Sequence, residues 1–597
     1  MKNPHINLVI LCIIVTALFI DCSSKVKWQP VKGDIMTKWA KNVSPENVWQ
    51  EYPRPQMVRK EWKNLNGLWE YGIRPKNENQ PQVFDGHILV PFPIESALSG
   101  VKKAVGKDNR LWYRRVFDLS KDWQGKQILL HFGAVDWETQ LWVNGQEIGT
   151  HRGGYDGFSF DITEALHPNS EQEIVLAVWD PTDAGYQPRG KQVANPNGIW
   201  YTAVTGIWQT VWLEPVNPVY IKSLKITPDI DEKMVRVVAN CSEETGRIKV
   251  SVFDEKSEVS TGKGKPGEAI TILISDAKYW SPDSPFLYDL EISLEDGSGQ
   301  KIDYVESYVG MRKISLGKDK DGIQRLFLNN KELFQHGPLD QGWWPDGLYT
   351  APTDAALRYD IEVTKKLGFN MARKHVKIEP ARWYYWCDTL GLLVWQDMPS
   401  GDKYIGHNDP DIIRSDPSAE QFKFEIWRMV DGLYNHPSIV MWVPFNEGWG
   451  QFETEHITSR IKAYDPTRLV NNTSGWADRG VGDVCDIHAY PGPAAPPNEP
   501  NRAAVLGEYG GLGLPIEGHT WRTEKNWGYR GYQNAEELIA AYQDLSRKLQ
   551  PLIKNGLAAA VYTQTTDVEI EVNGLMTYDR AIIKMNPERV SEFNRGY

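Results

Sequence analysis

In the first half of the chain, hydrophobic and polar positions alternate with a period of two. Runs of this kind recur between Trp62 and Pro215, at Leu111–Phe117, Gln127–Phe132, Thr139–Val143 and Glu173–Trp179. Neighbouring residues of a strand point to opposite faces, so the alternation predicts half-buried β-strands. Asn144-Gly145 follows Val143. That pair tolerates positive φ at both turn positions and predicts a hairpin. No useful helical period interrupts this stretch, which predicts a β-sandwich of the jelly-roll type over residues 25–217. Strands continue at Met234–Ala239 and Arg247–Phe253, and the length of 218–315 suits an immunoglobulin-like sandwich.

From Asp354 the pattern changes. A helical period covers Ala355–Leu367, and the apolar run Phe369–Arg373 follows it. Ile439–Val443, Arg468–Val470, Ala503–Leu506 and Leu557–Tyr562 are further short apolar runs with helical stretches between them. Alternation of this kind predicts parallel strands with crossovers, closed as a (β/α)8 TIM barrel over 316–597. The predicted fold is therefore multidomain: jelly roll, immunoglobulin-like sandwich, TIM barrel.

The N-terminus reads differently. Lys2 and His5 precede Leu8–Ile20, an apolar run of 13 residues. It is short for a hydrocarbon core of about 30 Å and fits a signal peptide over 1–22. Cys22 stands directly after it and resembles a bacterial lipoprotein cleavage site of the Bacteroides type, with Cys22 the lipidated residue. Asp21 departs from the small residue usual there, and ordinary secretion is the alternative. The expected location is the periplasm or the outer membrane, with membrane contact only through that anchor.

The net charge of −12, without a long basic run, argues against a nucleic-acid partner. The 25 Trp suit sugar-gripping surfaces, although most belong in cores. Beyond Cys12 and Cys22, the remaining Cys241, Cys387 and Cys485 are too scattered for a disulfide framework or a metal cluster. They read as buried thiols, and no cofactor is implied.

Barrel active sites lie where strands end. Ile439–Phe445 runs into Asn446-Glu447-Gly448-Trp449, and Ala503–Gly507 runs into Glu508. Two carboxylates thus leave one rim from two strands. Retaining glycoside hydrolysis needs such a pair, about 5–5.5 Å apart. The other reading makes one of the two a rim salt-bridge partner. Asp340, Trp343 and Trp344 follow the first barrel strand, in a loop that either shapes the pocket or is solvated.

The run from Asn435 to Glu447 resembles the acid/base signature of glycoside hydrolase family 2, the β-galactosidase, β-glucuronidase and β-mannosidase family. Glu508-Tyr509-Gly510 is similar to its nucleophile motif. Leu141–His151, Gly153-Gly154-Tyr155 and Phe160–Thr163 resemble its sugar-binding jelly roll, and Trp280–Tyr288 looks like its central sandwich. The resemblance implies Glu447 as general acid/base and Glu508 as nucleophile. It implies that Asn446 binds the sugar 2-hydroxyl, with a capping Asn as the alternative, and that Arg373 supports the nucleophile. His375 stands one position earlier than the family's His. His488 and Tyr490 are either substrate contacts or packed rim residues. Trp449 joins the substrate-binding set, and Gln564 falls where relatives often carry a stacking Trp. Some relatives bind Mg²⁺ or Na⁺, but no ligand cluster stands out, and no Asn-x-Lys motif of the glucuronidase kind follows Glu508. The activity implied is a retaining exo-β-glycosidase, with β-galactoside favoured. A β-glucuronidase, another β-glycosidase, an endo-acting hydrolase and a non-catalytic glycan-binding lipoprotein are the alternatives.

Overall fold

The structure is a computed structural model that describes residues 28–33, 35–168 and 170–596. The expected signal segment 1–22 and Cys22 lie outside the described residues.

The alternating stretches form strands where the pattern places them. A six-stranded antiparallel sheet includes Asn109–Phe117, Glu138–Val143, Gln146–Arg152 and Gln172–Trp179, and it faces a four-stranded sheet containing Gln127–Phe132 and Val211–Val216. Leu111, Tyr113, Leu130, Leu141, Leu176 and Leu213 fill the space between them. Asn144 and Gly145 both take positive φ, joining antiparallel Glu138–Val143 and Gln146–Arg152 as the hairpin reading requires. The second domain packs a three-stranded sheet on a four-stranded one around Val237, Val250, Leu290 and Ile292. The N-terminal stretch around Trp39, Val48 and Trp49 shares one apolar cluster with jelly-roll residues such as Leu89, Phe92 and Trp208 and with barrel residues such as Trp344, Leu357 and Trp383.

The barrel strands are β1 (Gln335–Asp340), β2 (Met371–Lys374), β3 (Leu393–Asp397), β4 (Ile439–Val443), β5 (Leu469–Val470), β6 (Val484–Ala489), β7 (Ala503–Gly510) and β8 (Leu557–Thr563). They pair in parallel in the order β5-β4-β3-β2-β1-β8-β7-β6. Ladder pairing runs all the way round except between β5 and β6, which meet only at an Asn471–Gly482 bridge. Helices Asp354–Lys366, Ala381–Leu390, Asp416–Leu433, Thr454–Tyr464 and Ala535–Lys554 cover the outside. The expected strand-helix alternation fails twice. Residues 471–483 and 490–502 connect β5 to β6 and β6 to β7 without an α-helix. Pro491, Pro493, Pro496, Pro497 and Pro500 in the second connection remove backbone donors and hold φ against helix formation.

Among the described residues no helix is long and apolar enough to cross a membrane. Cys241, Cys387 and Cys485 are free thiols, Cys387 and Cys485 buried and Cys241 partly so.

Candidate active site

Glu508 lies on β7 and Glu447 four residues beyond the end of β4, so two apolar strands deliver both carboxylates to one rim. Glu447 has φ +50° and its amide donates to the Ser474 carbonyl at 2.9 Å, which fixes the turn that aims its side chain inward. One oxygen of each carboxylate and a ring nitrogen of His488 all lie within 4.8 Å of one another.

Glu508 is buried and fully engaged. Its Oε2 accepts from the Tyr490 hydroxyl at 2.6 Å, and its Oε1 accepts from Arg373 Nη1 at 3.3 Å. Burial alone would raise its pKa; His488, His375, Arg373 and the Tyr490 hydrogen bond outweigh burial and bring it down to about 2. Arg373, on β2, also donates to both oxygens of Asp397, to the Gly507 carbonyl and to Asn446 Oδ1 at 2.7 Å. That contact uses the Asn446 oxygen and leaves its buried amide nitrogen without a partner among the described residues. Such a donor is available to a substrate hydroxyl.

His488 is tied at both nitrogens. Nδ1 lies 2.7 Å from Glu447 Oε1, and Nε2 lies 2.9 Å from Ser474 Oγ. Ser474 Oγ in turn donates to Asp486 Oδ2 at 2.6 Å. Asp486 also accepts from Asn471 Nδ2 and the Gly507 amide. With its single hydrogen committed to Asp486, Ser474 accepts from His488 Nε2. His488 Nδ1 is then the nitrogen that faces Glu447. Burial lowers the His488 pKa, but Glu508, Glu447 and Asp486 together raise it above its ordinary value.

His375 is held by Asp397 through Nδ1 at 3.0 Å, and burial pushes its pKa well below the ordinary value. Trp449 stands 6.1 Å from the His375 ring and 5.0 Å from Trp200. Tyr490 stacks on Tyr529 at 3.7 Å.

Four of the residues expected from the sequence sit further back. Asp340 is occupied by Lys374 at 2.9 Å and by the Gly342 amide. Trp343 and Trp344 are each 1% exposed, so the loop after β1 is not solvated. Trp343 packs behind Tyr201, and Trp344 lies under Arg580. They are core residues because the jelly roll covers this loop. Gln564 is buried and donates to Asn573 Oδ1 at 2.6 Å, and Asn573 donates to Glu571 at 3.0 Å. It braces neighbours and presents no stacking surface.

The sequence reading missed Lys191, Tyr201 and Glu571. Lys191 and Tyr201 come from the jelly-roll loop 186–202, which leans over the barrel mouth. Arg189 and Gly190 donate their amides to the Ser400 carbonyl, and the Tyr201 hydroxyl donates to Glu571 Oε2. Gly190 has φ +61°, and a Cβ there would meet the Val376 carbonyl oxygen at 2.5 Å, so only glycine lets the loop approach this closely. No local pattern announces such a long-range docking.

Residues 219–312 match Glycosyl hydrolases family 2, residues 321–584 the TIM barrel domain of that family, and residues 82–214 its sugar binding domain. A "Beta-glucuronidase" of Paenibacillus borealis is 25% identical over 446 residues, covering 70% of this chain and 73% of that protein. A "Beta-galactosidase" of Thermoanaerobacter pseudethanolicus is 27% identical over 361 residues, 56% of this chain and 44% of that protein. Among solved structures, a Ruminococcus gnavus β-glucuronidase in complex with D-glucuronic acid superposes with a TM-score of 0.70 at 17% identity, covering 92% of this chain and 99% of that one.

Proposed function

The chain belongs to family 2 of the glycosyl hydrolases and is a β-glycosidase of that family; we propose that it removes terminal β-linked sugars with retention, Glu508 attacking the anomeric carbon and Glu447 serving as acid/base. One observation carries this reading. An oxygen of Glu447 and an oxygen of Glu508 lie within 4.8 Å, which matches the spacing of about 5–5.5 Å for direct attack rather than the roughly 6.5–9.5 Å that an inverting water requires.

The roles follow from the surroundings. Glu508, held ionised by Arg373 and His488, forms the glycosyl-enzyme; Tyr490 keeps its oxygen aimed. Glu447, sharing a proton with His488, protonates the departing oxygen and then takes a proton from the incoming water. Asn446 offers its free amide to the sugar 2-hydroxyl. The jelly-roll loop over the barrel mouth favours a pocket for one terminal sugar over an open groove.

Of the two sugars, β-glucuronide replaces the β-galactoside expected from the sequence. Support for it comes from the names of the P. borealis relative and of the R. gnavus neighbour. A panel of nitrophenyl β-glycosides tests the sugar, and proton NMR early in turnover tests the stereochemistry. Retention gives the β-anomer first; an initial α-anomer rules out Glu508 as nucleophile.

The same reading includes export and anchoring through Cys22. Cys22→Ala should release the protein from membranes and abolish palmitate labelling. A wild-type protein that is already soluble and unlabelled would mean that Asp21 spoils the site.

A further inference from the structure

Lys191 is 5% exposed, yet no carboxylate, carbonyl or hydroxyl of the described residues bonds its ammonium. The other buried lysines around the barrel mouth are occupied. Lys374 meets Asp340 and Glu379, Lys377 meets Glu379 and two carbonyls, and Lys584 meets Asp567. Lys191 has only ring faces, with Nζ 5.5 Å from the centre of Tyr201 and 5.9 Å from that of Trp449. The stem of Lys191 is buried while its ammonium is left without a partner among the described residues at the barrel mouth, where it is available to an anionic group of a ligand.

Its place indicates the use. Trp449 is two residues past Glu447 and adjoins His375, so Lys191 stands across one wall from the reacting carboxylates. Its charge is felt by His375 and by Glu571, and Glu571 also feels Glu508, so Lys191 stands within electrostatic reach of the groups around the two carboxylates. Glu571 does not neutralise Lys191 by contact: its oxygens are taken by Tyr201 and Asn573. Arg373, the cation beside the carboxylates, is committed to Asp397, Glu508 and Asn446.

We propose that Lys191 binds the carboxylate of a terminal β-linked uronic acid, so that the jelly roll reads the charge of the sugar whose bond the barrel cleaves. The inference rests on the glycosidase reading of Glu447 and Glu508 and names the group that selects their substrate. Ammonium and carboxylate would complete each other's coordination, and a site built for such a pair discriminates against an uncharged analogue.

The experiment compares nitrophenyl β-D-glucuronide with nitrophenyl β-D-glucoside, which differ only at C6, on the full chain and on Lys191→Met and Lys191→Arg. Wild type should favour the glucuronide. Lys191→Met should lower the glucuronide-to-glucoside ratio of kcat/KM by about 100-fold or more, the scale on which a buried charge partner is lost. The effect should lie mainly in KM, with partial rescue by Lys191→Arg. A fall shared equally by both substrates overturns the proposal, as does a wild type that prefers the glucoside. If neither substrate is cleaved, the glycosidase reading fails by itself. Calorimetry with free D-glucuronate and D-glucose then decides on Lys191: selective glucuronate binding lost in Lys191→Met supports the assignment, and its absence in wild type overturns it.

Discussion

His488 Nδ1 lies 2.7 Å from Oε1 of Glu447 and 3.6 Å from Oε2 of Glu508, so a single ring touches the proposed acid/base and stands next to the proposed nucleophile. It is the largest of the charges that oppose burial in holding the Glu508 pKa at about 2. Glu508 must be ionised to attack, so the acid limb of kcat/KM follows its pKa. Removing a neighbouring cation raises that pKa. His488→Asn should therefore shift the acid limb to higher pH. An acid limb that stays put would show that His488 is uncharged in the working enzyme.

Glu508→Gln should lose at least about 10⁴-fold in kcat, since no carboxylate is left to form the covalent intermediate. Glu447→Gln should lose far less on substrates with good leaving groups, which need little protonation. A series of aryl glycosides ranked by leaving-group pKa separates the two. Equal losses throughout the series would reverse the assignment of roles.

Arg373 and Asp397 are both at most 1% exposed. Arg373→Met leaves Asp397 charged and buried with only His375 and the Val376 amide. The barrel should lose about 3–5 kcal/mol, read as a lower urea midpoint by circular dichroism. A midpoint unchanged from wild type would mean that Asp397 takes up a proton at little cost.

Glu425 gives a prediction of opposite sign. Burial pushes its carboxyl up to about 8 from 4.5, and Gln421 and Trp137 give it only partial compensation. A raised folded pKa means that its contribution is fully present below about 4.5 and is lost as pH rises towards 8. Glu425→Gln removes this titration. Its stability relative to wild type should thus grow between pH 4.5 and 8 and be flat below. A pH-independent difference would contradict this.

Gly190→Ala should act at a distance from any catalytic group. The new Cβ would collide with the Val376 carbonyl, and φ +61° is unfavourable for alanine. The loop must lift and take Lys191 with it. KM for the preferred substrate should rise about tenfold or more, while the barrel's urea midpoint stays near wild type. Unchanged kinetics would mean that the loop does not form the pocket wall.

Both carboxylates were legible because each comes at or just after the end of an apolar run in the sequence, Ala503–Gly507 and Ile439–Phe445, and reading strand ends needs only local pattern. The Asn144-Gly145 hairpin was legible for the same reason. Trp343 was misplaced because the sequence cannot tell that the jelly roll covers the loop after β1. Lys191 lies more than 250 residues before Glu447 in a loop with no periodicity, and only domain docking brings it to the barrel mouth. The two crossovers without helices were partly legible. The prolines between 491 and 500 forbid a helix there, but the stretch 471–483 carries no equally strong mark.

The seam between β5 and β6 is sewn by side chains rather than by a backbone ladder. Asn471 and Ser474, just past β5, both donate to Asp486 of β6, and Asp486 also accepts from Gly507 of β7. The carboxylate that fastens the barrel shut is thus the one that orients Ser474 beneath His488. Loosening the fastening would misalign the acid/base, and gripping a sugar against Glu447 and Glu508 would tighten the fastening in return. Thermodynamic reciprocity then predicts that occupancy of the pocket stabilises this joint. Amides of β5 and β6 should exchange with deuterium faster than those of β2 and β3 in the free enzyme, and should slow most when an inhibitor occupies the pocket.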